Sequence, residues 1–292
     1  MNDAHQNDAH QNDAQHPVRS MPQSDILNTF TGLFSTLPQV EAAALTGSRV
    51  SGLTPDVGSD FDLCLFITAP IPIETRKTMI AEMGGASRAD LGHTYWGECD
   101  EWIHAPTGTG MDVVYWDTGW IENLLQRVIE RHQPSLGYST AHWFTIRHAQ
   151  PLFDRSGWLE RMQSYSRAPY PEELRRAIIR DNRAVLRDMI SSYSAQIAKA
   201  VRRNDLVSVN HRVAGLLASY FDVIFACNRV LHPGEKRLLE QAVRLCLSLP
   251  PGMQEDIQAV LRSAGSISPE LLEHIDRLLD RLENWLTVCP EQ

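Results

Sequence analysis

Residues 24–37 carry apolar side chains at Ile26, Leu27, Phe30, Leu33, Phe34 and Leu37, a spacing that predicts an amphipathic helix capped by Ser24 or Asp25. Pro38 then leads into the small apolar run 42–45, read as a short buried strand. Gly47-Ser48 breaks that run, and a polar stretch rich in Gly, Pro and Ser follows before the chain re-emerges as DFDLCLF, residues 60–66. Alternation along a second strand sends Phe61 and Leu63 toward a core. It leaves Asp60 and Asp62 together on the opposite face, roughly 6.5–7 Å apart at Cα. Residues 73–83 predict a helix ended by Gly84-Gly85, and 97–104 a short aromatic strand. A turn is expected at 106–110 and a third sheet strand at 111–116, with Asp112 at its start. In that strand Val114 shares the face of Asp112, and Val113 and Tyr115 take the other.

From Gly119 onward the period changes to that of helices. Residues 120–131 predict one helix, 138–158 are read as irregular, and 171–203 form one long helical pattern. Pro171 suits its first turn, where Glu172 and Glu173 complement the dipole. Asp205 is expected to start another helix, and shorter ones follow at 235–249, 253–262 and 269–288. The chain therefore divides into a polar tail (1–21), an α/β module with a small mixed sheet (22–118) and an all-α bundle (119–292). The expected class is α+β.

The chain has 292 residues, 43% of them hydrophobic and 22% charged, as in an ordinary globular protein, and a net charge of −9. That balance, with no basic stripe, argues against a long nucleic acid as partner. The five cysteines are odd in number, scattered and without a C-x-x-C pair, which argues against a disulfide framework. Cys64 and Cys246 lie in apolar runs and read as small core residues. No apolar run approaches the ~18 residues of a membrane span, and the polar start has no signal-peptide pattern, so a cytoplasmic setting is expected. Residues 1–16 nearly repeat NDAHQ. They read as a disordered tail whose His5, His10 and His16 would bind metal only loosely. His93, Cys99 and His104 do not have the spacing of a compact zinc module. Trp96 and Trp102 read as strand packing, with stacking on a base or sugar as the alternative.

The chemistry suggested by 42–66 is that of a held triphosphate. Two carboxylates on one strand face repel each other, and a hard cation such as Mg²⁺ shared with substrate phosphates relieves them. Gly47 lets backbone approach a ligand closely, and Ser48 with the loop amides can donate to phosphate oxygens. The string GSRVSG, then LTPDVG, then SDFDL resembles the signature of the DNA polymerase β-like nucleotidyltransferase superfamily, in particular its minimal bacterial members. The resemblance implies that Gly47, Ser48, Arg49 and Ser59 hold the nucleotide and that Asp60 and Asp62 bind Mg²⁺. Asp112, some 50 residues on at a strand start, stands where that superfamily places its third acidic residue.

A second segment, FACNRVLHPGEKR (225–237), is read as a helix end, a Pro-Gly turn and a new helix opened by Glu235-Lys236-Arg237. Basic residues at a helix start oppose the dipole and invite an anion. The segment resembles the helical domain of lincosamide- and aminoglycoside-type nucleotidyltransferases, which implies that Lys236 reaches a nucleotide phosphate across a cleft. Together the resemblances imply transfer of an NMP, AMP foremost, from ATP or another NTP to a hydroxyl with release of pyrophosphate. The acceptor would be a small hydroxylated compound such as an aminoglycoside or lincosamide, which would make the protein an antibiotic-resistance enzyme. Two readings stand beside it: a protein adenylyltransferase of antitoxin type, and a non-catalytic nucleotide-binding regulatory module. For the general base, Glu98, Glu101, Asp181, Asp205 and Glu235 are candidates, and Asp112 is another.

Overall fold

The computed structural model describes residues 23–50, 60–95, 97–268 and 270–288. The NDAHQ tail, Ser59, Trp96 and the side chain of Ser48 lie outside that description. The chain runs α1 (Gln23–Phe34), β1 (Val40–Leu45), a 3₁₀ turn (Gly47–Arg49), β2 (Phe61–Ile67), α2 (Ile73–Glu82), β3 (Ala86–His93), β4 (Cys99–His104) and β5 (Gly110–Asp117). It continues as α3 (Thr118–Ile129), α4 (Ala141–His148), β6 (Gln150–Asp154), α5 (Trp158–Ser166) and α6 (Glu172–Arg183). A π-helical turn (Ala184–Asp188) leads to α7 (Tyr193–Arg202), α8 (Leu206–Cys227), α9 (Leu238–Leu245), α10 (Met253–Ala264) and α11 (Leu271–Val288). This is the expected α+β arrangement: a mixed sheet with flanking helices, then a helical region.

Among the described residues the sheet has six strands in the order β3-β4-β5-β2-β1-β6. β2 and β5 run parallel, and the other neighbours run antiparallel. Alternation gives the sheet two unlike faces. One carries Ala43, Leu45, Phe61, Leu63, Leu65, Met111, Val113, Tyr115 and Trp102, packed under α1 and α2. In α1, Ile26, Phe30 and Phe34 supply the covering stripe, and the last two rings stack at 4.5 Å. The other face begins with acidic side chains and becomes apolar along the strands. There Ala42, Ala44, Cys64 and Phe66 meet Ile121, Leu125 and Val128 of α3, Trp143 of α4 and Leu159 of α5. Leu174, Ile178, Ala226 and Leu231 of the helical region join the same cluster, so that region is packed onto the acidic face.

Local chemistry sets the ends of these elements. Asp117 accepts from the Trp120 N–H to open α3, and Asp205 accepts from the Ser208 N–H to open α8. α2 stops where Gly84 and Gly85 take positive φ, with the Gly85 N–H donating to the Ile80 carbonyl. α8 is the hub of the helical core, burying Val209, Val213, Leu216, Tyr220, Val223 and Ile224 against α6, α7 and α10.

Four expectations are corrected. The long helix over 171–203 is two helices, because the chain winds into a π turn, leaves helical geometry at Met189 (ψ 151°), and restarts where Ser192 caps the Ala195 N–H. The irregular stretch 138–158 contains α4 and β6, whose short pieces fall below the length at which periodicity can be read. Residues 235–237 do not open a helix: Arg237 is left-handed (φ 55°) and α9 starts at Leu238. Finally, Cys227 is disulfide-bonded, since pairing follows proximity in space rather than in sequence. Cys64, Cys99 and Cys246 are free and buried. Among the described residues no helix is long and apolar enough to cross a membrane.

Candidate active site

The turn after β1 is fixed onto the start of β2. The Thr46 N–H donates to the Asp62 carbonyl at 2.8 Å, and its hydroxyl donates to the same oxygen at 3.1 Å. Gly47 follows with φ +68°, and a Cβ there would stand 2.0 Å from Asp62 Oδ2 and 2.7 Å from Asp62 Cβ. Only glycine lets the backbone lie so closely on that carboxylate. Arg49 comes back along the strand, its Nε donating to the Asp60 carbonyl at 3.1 Å and its guanidinium lying 4.4 Å from the centre of the Phe61 ring.

The parallel register pairs Asp62 with Asp112, which places their Cα atoms on neighbouring strands about 4.8 Å apart. Asp60 lies one alternation earlier on the same face. Its carboxylate rests on Gly110, where a Cβ would be 2.0 Å from Asp60 Oδ1. On the far side of Asp112 the antiparallel register with β4 brings in Glu101. Four carboxylates thus line the start of one sheet face. Burial raises the Asp112 carboxyl to about 6, reinforced by Asp62, Glu101 and Asp60 and opposed by the Lys236 ammonium.

Lys236 reaches this face from the helical region along a tethered path. Arg229 pairs with Glu172 at 3.1 Å, the His232 N–H donates to Thr140 Oγ1 at 2.7 Å, and the Gly234 N–H donates to His232 Nδ1 at 3.1 Å. The His232 ring is buried, and that burial holds it neutral by lowering its pKa to about 4. Lys236 follows in an exposed turn rather than on a helix.

Of the residues the sequence singles out, Gly47, Arg49, Asp60, Asp62 and Asp112 converge, and Lys236 acts electrostatically on Asp112. The general-base candidates separate clearly. Glu98 is engaged with Arg76, Asp181 with Arg180 at 2.6 Å, and Asp205 caps α8. Glu101 stands beside Asp112 with His93 Nε2 3.6 Å from its carboxylate, and Glu235 is exposed ahead of α9. Glu101 is among the general-base candidates the sequence offers, and hairpin arithmetic across the 105–109 turn gives its register with Asp112. His93 Nδ1 lies 3.2 Å from Cys99 Sγ, whereas His104 turns away to the Met83 carbonyl at 2.8 Å, so the two histidines share no site. Trp102 is buried under α1 and α2, on the packing side of its two readings.

Behind the carboxylates, on the opposite face, Arg76 is buried between the Ile71 carbonyl (2.8 Å), Asp100 (3.3 Å) and Glu98, with its guanidinium 4.2 Å from the Tyr115 ring centre. The Tyr115 hydroxyl and the Gly92 N–H also donate to Asp100, at 2.6 and 2.7 Å. This fully bonded cluster fixes β4 against β5, and with them the Glu101–Asp112 register.

Whether a divalent cation suits the site turns on donor chemistry. As the side chains stand, no group of three or more His, Cys, Asp or Glu among the described residues is arranged to hold a metal ion. Mg²⁺ does not require such a cage: it keeps several waters and binds through one or two carboxylates plus substrate phosphates. Asp62 and Asp112 side by side, with Asp60 next to them, provide hard oxygens of that kind, and the Lys236 ammonium is a charge that opposes them.

No family model matches the chain, and no curated protein matches it. Among solved structures it is similar to a nucleotidyltransferase-like protein from Exiguobacterium sibiricum 255-15, at 12% identity and a TM-score of 0.42, over 91% of this chain and 75% of the other. A likeness this distant is no guide to activity.

Proposed function

We propose that the protein is a nucleotidyltransferase that moves an NMP from an NTP to a hydroxyl of a small, amine-bearing acceptor. The observation that carries the reading is the pairing of Asp62 with Asp112 across parallel strands, under a glycine turn, with Lys236 brought in from the helical region. Asp60, Asp62 and Asp112 would hold Mg²⁺, which when bound supplies charge neutralisation at the triphosphate and at the leaving group. The Gly47 turn, Ser48, Arg49, Ser59 and Lys236 would bind and orient the phosphates, a preorganised electrostatic contribution. Glu101 would take the proton from the acceptor hydroxyl as its oxygen bonds to the α-phosphorus. The bond from that phosphorus to the bridging oxygen breaks, and pyrophosphate leaves.

A cavity of about 460 Å³ adjoins the carboxylates and is lined by Asp60, Arg88, Asp90, Glu101, Ile103 and Asp112 among others. Arg88 is engaged with Asp90 at 3.4 Å, so the balance of the lining is negative and suits a cationic acceptor such as an aminoglycoside. The test is pyrophosphate release with Mg²⁺, each of the four NTPs, and a panel of aminoglycosides and lincosamides. Release that depends on one acceptor and disappears in Asp60→Ala/Asp62→Ala supports the reading. Silence with every small acceptor, together with label transfer to a protein, would replace the acceptor class.

A further inference from the structure

Farther along the same sheet face lies a second cavity of about 430 Å³, formed by α3, α4 and the segment between them. Trp116, four residues beyond Asp112 on β5, stands at its edge, so the cavity is displaced from the carboxylates by roughly 13 Å of strand. Its character is the reverse of the acidic one. Arg127 and Arg131 line it, and no carboxylate occurs among its described lining residues. In a chain of net charge −9 that separation of sign is local and specific.

The walls are aromatic. Trp116, Trp120 and His142 form a triangle of rings with centroids 5.2–6.0 Å apart. Trp120 nevertheless remains 44% exposed, leaving ring surface for another planar group. Tyr138 also lines the cavity, held at positive φ (57°) after Gly137 (φ 76°), with its ring edge-on to His232 at 4.8 Å. Its segment is anchored from below: the Gly137 N–H donates to Asn182 Oδ1 at 2.8 Å, and the Ser139 N–H and hydroxyl donate to Asp222. Two acids act on Tyr138, the exposed Glu235 and then Asp222, which is buried behind Ser139; Glu130 is held by the Tyr165 hydroxyl at 2.8 Å.

Arg127 is the unfinished part of this site. One of its terminal nitrogens donates to Ser135 Oγ at 3.3 Å, but its Nε is shielded from water and has no hydrogen-bond partner. A buried donor left in that state destabilises the fold, and an anionic oxygen would satisfy it. Burial first and the Arg127 charge second lower the His142 pKa, and its ring is part of the cavity wall.

We propose that this cavity is a second binding site, for a small aromatic phosphate whose ring stacks on Trp120 and Tyr138 and whose anion is taken by Arg127 and Arg131. The volume suits a ligand of one or two rings. The test uses the full-length protein in EDTA, which disables metal-dependent binding, with AMP as probe. AMP is expected to bind saturably and to quench tryptophan fluorescence. Affinity should fall about tenfold in Arg131→Ala, as expected for one lost charge-assisted contact. The quench should weaken in Trp120→Phe, and inorganic phosphate should compete only weakly. Absence of saturable binding, or an unchanged affinity in Arg131→Ala, would overturn the site. None of these readouts depends on pyrophosphate release, so the proposal stands or falls separately from the catalytic one.

Discussion

Asp62 and Asp112 stand opposite each other on β2 and β5, the parallel pair of the sheet, although fifty positions separate them in sequence. Such a pair is destabilising unless something positive is placed between its members. Asp112→Asn is therefore expected to leave the melting temperature unchanged or slightly raised. Transfer should fall about 100-fold or more, since changes even to groups that merely support a metal ligand lose 10–100-fold. Parallel melts and pyrophosphate-release assays check this, and a variant that keeps parental turnover would remove Asp112 from the chemistry.

Gly47 lies so close to Asp62 that the smallest side chain collides with both its carboxylate and its Cβ. Gly47→Ala is expected to destabilise the fold by about 1–3 kcal/mol from the positive φ alone. It should slow transfer by at least about tenfold by displacing the turn from the carboxylate. Urea titration beside steady-state kinetics separates the two effects.

The Arg76–Asp100 cluster predicts the opposite signature. Asp100 is fully buried and takes three donors, so Asp100→Ala leaves the buried Arg76 with only Glu98 and the Ile71 carbonyl and strands the Tyr115 hydroxyl and the Gly92 N–H. A loss of about 3–5 kcal/mol is expected, measured by urea unfolding, with turnover of the remaining folded fraction little altered. A large fall in kcat at full foldedness would show that the cluster does more than fix β4 against β5.

Asp222 gives the fold a pH dependence. Burial raises its carboxyl to about 7, against the lowering effect of donors from Ser139 and Asn182. The folded state then holds a proton that the unfolded chain releases above about pH 4. Stability from this group is complete below that point, declines as pH rises toward 7, and levels off above it; the total is on the order of 4 kcal/mol. Asp222→Asn should flatten the decline in a series of melts between pH 4.5 and 8. Part of the slope should remain from Asp112, whose carboxyl is raised to about 6; a slope as steep as the parent's would show that Asp222 is not responsible.

How legible these features are in the sequence depends on their range. The glycine turn and the Asp60/Asp62 alternation occupy a short local string whose polarity pattern states which face each side chain takes. Asp112 follows only once a third strand is assumed to lie beside the second. Glu101 needs a second register step through β4, and single-strand alternation cannot supply it. β3 (ASRADLGH) is missed for a different reason: it lies at the sheet edge with exposed residues through its middle, so its polarity does not alternate. The break between α6 and α7 is signalled by Ser191-Ser192, but the apolar period passes through the break and conceals it. In PGEKR the charges read as the first turn of a helix, whereas the left-handed Arg237 delays α9 and leaves Lys236 on a turn. The helical region as a whole is plain from its period, yet its seat on the acidic face depends on Ala226 and Leu231, which look like any other core residues.

The bond from the Thr46 N–H to the Asp62 carbonyl also separates the sheet from the chain that joins the two residues. The exit and re-entry points are clamped by the sheet itself, so the length of the connection enters stability only through loop closure, about 0.6 kcal/mol for each doubling. A change in the length of sequence between these two points is therefore a small thermodynamic matter, and Asp62 keeps its place opposite Asp112.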